Sequence, residues 1–150
     1  KKDAEVEAPP AVAEAPKVVV DYEKLTEQDG LMYFEEKPFT GVALTKYANG
    51  QKKMEGTLKD GKPHGLATGW HENGQKEWEG TFKNGKQYGR NTAWHKNGQK
   101  HGESIYKDGK RHGLHTVWYE NGQKKFEATY KDGKQISLKQ WDENGKLVFE

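Results

Sequence analysis

Chemistry in this chain has to come from histidine, carboxylate, lysine and tryptophan, because its 150 residues include no cysteine. That excludes disulfides, thiolate metal sites and a cysteine nucleophile. Six histidines are present: His64, His71, His95, His101, His112 and His115. His95 and His101 flank an Asn-Gly turn, and His112-x-x-His115 follows, so His95, His101 and His115 are the candidates for a zinc-like ion. The plainer reading is favoured, since His71 and His95 stand in a column that Tyr47 and Tyr119 also occupy. No metal or cofactor is expected. Glu55, Glu79, Glu103 and Glu127 recur in one column, the mark of a solvated ladder more often than of a general acid or base. Ser104 and Ser137 lie outside any nucleophile-elbow motif, and no Gly-rich phosphate loop occurs. The chain is read as a non-enzyme.

Two further residue sets are periodic. Lys59, Lys62, Lys83, Lys86, Lys107, Lys110, Lys131 and Lys134 flank four Lys-Asp/Asn-Gly-Lys turns. A lysine comb of this kind meets membrane phosphates or another polyanion. Asp60, Asp108 and Asp132 lie inside the same turns and weaken its field, and lysine also keeps exposed edges soluble. Five tryptophans stand at 70, 78, 94, 118 and 141, more than a thin sheet needs for turns or solubility. Large, rigid aromatic side chains anchor protein partners. The function is placed there.

What positions these residues is a repeat. Gly65–Tyr88 is a 24-residue unit; the copies around it are Gly41–His64, Gly89–His112 and Gly113–Ile136, with a truncated fifth from Ser137 to Glu150. A fixed period of this length marks units that bury apolar surface only against their neighbours. Mean hydropathy is −1.19, which leaves no material for a thick core. Thirteen of the 18 glycines fall in three repeat columns, so they punctuate turns. A net charge of +2 gives no bulk attraction to nucleic acid.

Each repeat reads as two short strands and two turns. The Asn-Gly turn is a hairpin signal; a three-residue loop, Glu72-Asn73-Gly74, pairs His71 with Gln75. That register puts Leu66, Thr68, Trp70, Trp78, Gly80 and Phe82 on one face, with Ala67, Gly69, His71, Gln75, Glu77, Glu79 and Thr81 on the other. The Lys-Asp/Asn-Gly-Lys turn is read as longer, bringing Trp78 opposite Trp94, Met54 opposite Trp70 and Gly102 opposite Trp118. The fold class expected is all-β: an elongated, twisted, single-layer antiparallel meander of about eleven strands, with Leu31–Phe34 as the first.

Before the repeats, residues 1–17 are built mainly from Ala, Pro, Glu and Val, without an aromatic, and read as a flexible tether. Residues 18–40 read as a cap containing a helical turn with Asp21 as N-cap, and 41–150 as the repeat array. A start at Lys1 without Met suggests a trimmed, exported protein of the cell envelope or periplasm, lipid-anchored upstream of Lys1 in one form. The cytoplasm is the alternative.

Pro38-Phe39-Thr40-Gly41, the Asn-Gly-Gln-Lys motifs at 49–52, 73–76, 97–100 and 121–124, and the Asp/Asn-Gly-Lys motifs at 60–62, 84–86, 108–110 and 132–134 belong together. As a set they resemble the bacterial variant of the MORN (membrane occupation and recognition nexus) repeat, and among such proteins the small multi-repeat, antitoxin-like members. The resemblance implies a twisted antiparallel sheet without enzymatic activity that presents a concave aromatic surface to a partner. His101-Gly102 in the third copy departs from the aromatic column of Met54, Trp78 and Phe126. The fifth copy lacks one residue before Trp141.

The expected function is protein binding or scaffolding, with Trp70, Trp78, Arg90, Trp94, Gly102, Trp118 and Trp141 as partner-binding candidates. In this reading Gly102 leaves a notch beside Trp118 and Arg90. Neither nucleic acid nor a small-molecule substrate is expected. The alternative is a membrane headgroup or an envelope glycan held by the lysines and the aromatic strip.

Overall fold

The computed structural model describes residues 17–150; the tether expected at residues 1–17 lies outside them except for Lys17. The chain enters through β1 (Val19–Asp21), a single 3-10 turn at Tyr22–Lys24, and the short strands β2 (Thr26–Gln28), β3 (Leu31–Phe34) and β4 (Lys37–Pro38). The repeats follow as β5 (Gly41–Lys46), β6 (Lys52–Lys59), β7 (Lys62–Trp70), β8 (Lys76–Lys83) and β9 (Lys86–Trp94). Then come β10 (Lys100–Lys107), β11 (Lys110–Trp118), β12 (Lys124–Lys131), β13 (Lys134–Trp141) and β14 (Leu147–Phe149). No α-helix occurs among the described residues. Eleven strands form one open sheet in the order β1-β5-β6 through to β14, a meander of successive hairpins.

The number of strands is as expected, but the first member differs. Leu31–Phe34 belongs to a separate sheet, β2-β3-β4, and its place at the edge is taken by β1, which runs parallel to β5. Burial explains the exchange. Val20 joins Leu25, Phe39, Ala43 and Leu58 in a buried cluster against which Met32 and Phe34 pack. The small sheet thus acts as a lid over the first repeat. Its backbone is tied to the first lysine-flanked turn, with Met32 N–H donating to Gly61 O and Gly61 N–H to Phe39 O, both at 2.9 Å. The expected helical turn is shorter than read, and Asp21 precedes it without a side-chain capping bond.

Both turns are tight. At the Asn-Gly turn His71 N–H donates to Gln75 O, and Gly74, at φ +85°, returns its N–H to His71 O. This is the expected three-residue loop with a left-handed glycine. At the Lys-Asp/Asn-Gly-Lys turn the expected longer loop is replaced by a two-residue one. Asn84 and Gly85 both have positive φ (50° and 82°), and Lys83 pairs directly with Lys86. That is the type I′ geometry, whose twist matches that of the strands. The residues read as turn instead form a bulge further along, at left-handed glycines such as Gly89 (φ +71°).

The bulges also correct the faces. Trp70 pairs with Lys76, but Gly69 pairs with Trp78, so Glu77 is an extra residue between them. One extra residue sends the following side chains to the opposite face. Trp78, Gly80 and Phe82 therefore share a face with Gly65, Ala67 and Gly69, while Trp70 shares the other with Leu66, Thr68, Glu79 and Thr81. Across the next connection Trp78 meets Ala93 in place of Trp94, Met54 meets Gly69 in place of Trp70, and Gly102 meets Val117 in place of Trp118.

Two glycines on the Trp78 face contrast sharply. A Cβ on Gly69 would collide with the Trp78 indole nitrogen, whereas one on Gly102 would find its nearest neighbours at 3.8 and 3.9 Å. Gly69 exists so that the Trp78 ring can lie over bare backbone. Gly69→Ala is therefore expected to cost about 1–3 kcal/mol through overpacking, while Gly102→Ala leaves stability within about 0.5 kcal/mol. Thermal denaturation of the two variants tests this, and equal losses would refute the packing of Trp78 on Gly69.

Candidate functional site

Four of the five tryptophans line one face. Across neighbouring strands they alternate with lysines in the row Lys52, Trp70, Lys76, Trp94, Lys100, Trp118, Lys124, Trp141. The ammonium groups of Lys52, Lys76, Lys100 and Lys124 stand 5.6, 5.8, 6.0 and 5.7 Å from the ring centres of Trp70, Trp94, Trp118 and Trp141. Each lysine also meets the glutamate three residues on; Lys100–Glu103 and Lys124–Glu127 are both 2.7 Å. The glutamate column thus lies beside the tryptophans, not on the opposite face as expected. Behind it Thr68, Thr92 and Thr116 are buried. Arg90 joins this face through Glu103 at 3.8 Å. The cations over rings contribute about 0.5–1 kcal/mol each at such half-exposed sites.

The tryptophan carbonyls are occupied too. Tyr47 Oη donates to Trp70 O at 2.6 Å, and Tyr119 Oη to Trp141 O at 3.0 Å. His71 and His95 do the same through Nε2 to Trp94 O and Trp118 O, each at 3.0 Å. A carbonyl only accepts, so Nε2 carries the proton in both rings. Histidine here substitutes for tyrosine, as the column alignment suggests.

The other face is apolar at its N-terminal end. Met32, Met54, Leu58, Pro63, Trp78 and Phe82 line an open trough of about 330 Å³. Moving along the sheet, the apolar row ends. Where the first two repeats carry Ala43 and Ala67, the next two carry Asn91 and His115, and Ser104 pairs with both. Gly102 belongs to this face, flanked by Ala93 and Val117. The expected notch of Gly102, Trp118 and Arg90 does not assemble, because Trp118 and Arg90 are on the far side of the sheet.

The histidine candidates separate as well. His95 and His101 do lie together, with ring centres 4.5 Å apart. Burial, then His95, then Lys125 hold the His101 imidazole below its ordinary pKa. His115 is elsewhere, with Nδ1 2.6 Å from Ser104 Oγ and 3.2 Å from Glu103 O. Among the described residues no three of His, Cys, Asp and Glu gather as a metal-holding group. What sequence reasoning missed was the trough: it put Trp78 and Phe82 on one face, but together with Trp70, and it did not bring Leu58 and Pro63 beside them.

Burial first, then Arg111, lower the His115 pKa, and the bond to the Glu103 carbonyl opposes them. The folded state therefore disfavours protonation. Stability is complete above the unfolded value of 6.5 and falls as pH drops through it toward the folded pKa. From about pH 7 to about pH 5 the melting temperature should drop, and His115→Gln should flatten that drop. An unchanged slope in the variant would show that His115 does not titrate with unfolding.

Residues 63–84 and 111–132 match the family model of the MORN repeat variant. No curated protein matches the chain. Each matched segment covers the strand leading from one lysine-flanked turn, the Asn-Gly turn, and the strand returning to the next lysine-flanked turn. The two are two 24-residue periods apart, as the regular hairpin array requires. The chain carries repeats of the MORN variant type at these two segments.

Proposed function

We propose that this chain is a non-enzymatic protein-binding or scaffolding module that takes hold of its partner in the trough around Trp78. The family is a non-enzymatic repeat type suited to binding, and the trough supplies the surface. The observation that carries this reading is a contrast between faces. Trp70, Trp94 and Trp118 each have a lysine over the ring and a hydrogen-bonded carbonyl within the chain. Met54, Trp78 and Phe82 instead line an open apolar trough that begins at Met32 of the small sheet and runs on along the face of the large one. Aromatic and methionine side chains in such a depression are what protein partners bury.

The test is face-resolved photo-crosslinking in the native lysate. A photoreactive residue replaces Phe82 on the trough side or Leu66 on the tryptophan side. A discrete adduct from position 82, absent at 66 and lost when Met54→Asp is added to the position-82 probe, is the expected result. Equal adducts from both faces, or none from position 82, would overturn the assignment. Lipid or glycan adducts at position 82 would favour a headgroup or glycan surface instead.

A further inference from the structure

The second strongly featured surface is the rim of lysine-flanked turns. Register places the lysines in direct cross-strand pairs: Lys59 with Lys62, Lys83 with Lys86, Lys107 with Lys110, Lys131 with Lys134. Like charges directly opposite one another destabilise a sheet. The same chain pairs lysines elsewhere, since Lys52, Lys76, Lys100 and Lys124 all meet a glutamate. Among the described residues none of the eight rim lysines has a carboxylate partner within 4 Å. The lysines of the tryptophan face are ion-paired, and those of this rim are not.

The rim is also held at fixed pitch. Gly85 N–H donates to Pro63 O at 2.8 Å, Gly109 N–H to Gln87 O and Gly133 N–H to Arg111 O at 2.9 Å. Each turn is thereby bonded to the preceding repeat, two strands or about 9–10 Å away. Three of the four turns carry an aspartate between their lysines: Asp60, Asp108 and Asp132. The second carries Asn84. An open cleft of about 420 Å³ lies at that turn, lined by Lys62, Lys83, Asn84, Lys86, Gln87, Tyr88 and Asp108. The Lys83 ammonium stands 5.9 Å from the ring centre of the exposed Tyr88. The cleft offers three ammonium groups against one carboxylate, amides as further donors, and an aromatic surface.

We propose that the Asn84 cleft receives a carboxylate from an acidic, extended segment of a protein partner. A flat anionic surface fits less well, because it would meet Asp60, Asp108 and Asp132 at the other turn tips. The proposal extends the protein-binding reading to a second surface. Its experiment uses purified protein and a defined probe, so its outcome is independent of the trough.

The probe is fluorescein-labelled oligoglutamate, with binding to the full chain followed by fluorescence anisotropy at low and moderate salt. Asn84→Asp reproduces the residue of the other three turns, which hold the same backbone conformation, so the fold should tolerate it. It is expected to weaken binding about tenfold, and Asp108→Asn to strengthen it. Lys107→Gln with Lys110→Gln, at the next turn, should change it less than Lys83→Gln with Lys86→Gln. Absence of binding, or binding indifferent to Asn84→Asp in a folded variant, would overturn the proposal. So would tight binding to phosphatidylglycerol vesicles, dependent on Asn84, with none to oligoglutamate; the rim would then be a membrane surface.

Discussion

Everything about which side chains meet depends on one extra backbone residue per hairpin. At the Asn-Gly end of each repeat a register step leaves Lys53, Glu77, His101 and Lys125 without a cross-strand partner. A strand's side chains alternate with period two, so one inserted residue exchanges the faces of everything beyond it. The bulge at the lysine-flanked end adds two residues at the first three such turns and leaves the faces as they were; at the fourth it adds one, Ile136. A step of one therefore separates Trp70 from Trp78. The inserted side chains are used in turn: Lys53 and Lys125 stand over the Tyr47 and Tyr119 rings at 5.7 and 5.4 Å, and His101 lies against His95.

A sheet with so little core depends on its cross-strand ladders and on further ties at its rims. Buried apolar side chains gather at the N-terminal lid, and beyond it the one buried apolar residue among those described is Ala128. The rest of the array is stitched at both ends by hydrogen bonds between successive repeats. Asn73, Asn97 and Asn121 donate to carbonyls of the next Asn-Gly turn at about the same distance, 3.0, 3.0 and 2.9 Å. Turn glycines do the equivalent at the lysine rim. Each bond contributes about 0.5–1.5 kcal/mol net, and each joins only adjacent repeats, which is the nearest-neighbour energetics of a repeat protein.

The period, the strands and the three-residue Asn-Gly loop were legible in the sequence because local rules specify them. Glycine at a left-handed position leaves a mark in every copy. The face assignment was not, because a bulge residue such as Glu77 has no residue type of its own: its column holds Lys, Glu, His and Lys. The Lys-Asp/Asn-Gly-Lys turn was legible in principle, since Asp-Gly and Asn-Gly are the type I′ pair. Reading Gly65, Gly89 and Gly113 as part of a longer loop concealed it. Parallel pairing of β1 depended on tertiary burial of Val20, which no local pattern carries.

In a repeat protein the columns that recur describe the scaffold, and the positions that break them are where function is added. The Lys-Trp-Glu pattern recurs on four strand pairs, with a threonine opposite the glutamate in three of them, and is satisfied from within the chain each time. Departures cluster around the second and third repeats. Asn84 replaces an aspartate, and a tryptophan occupies the column that is Met54 in the first copy. Asn91 then ends the alanine row, with Ser104 and His115 continuing as a buried polar pair. The two side chains satisfy each other by a hydrogen bond, and this polar pair ends the apolar row at the third repeat. The two surfaces left with unmet chemistry, the trough at Trp78 and the lysine cleft at Asn84, therefore fall on the same hairpin from opposite sides. A partner that wraps this one rim of the sheet would reach both.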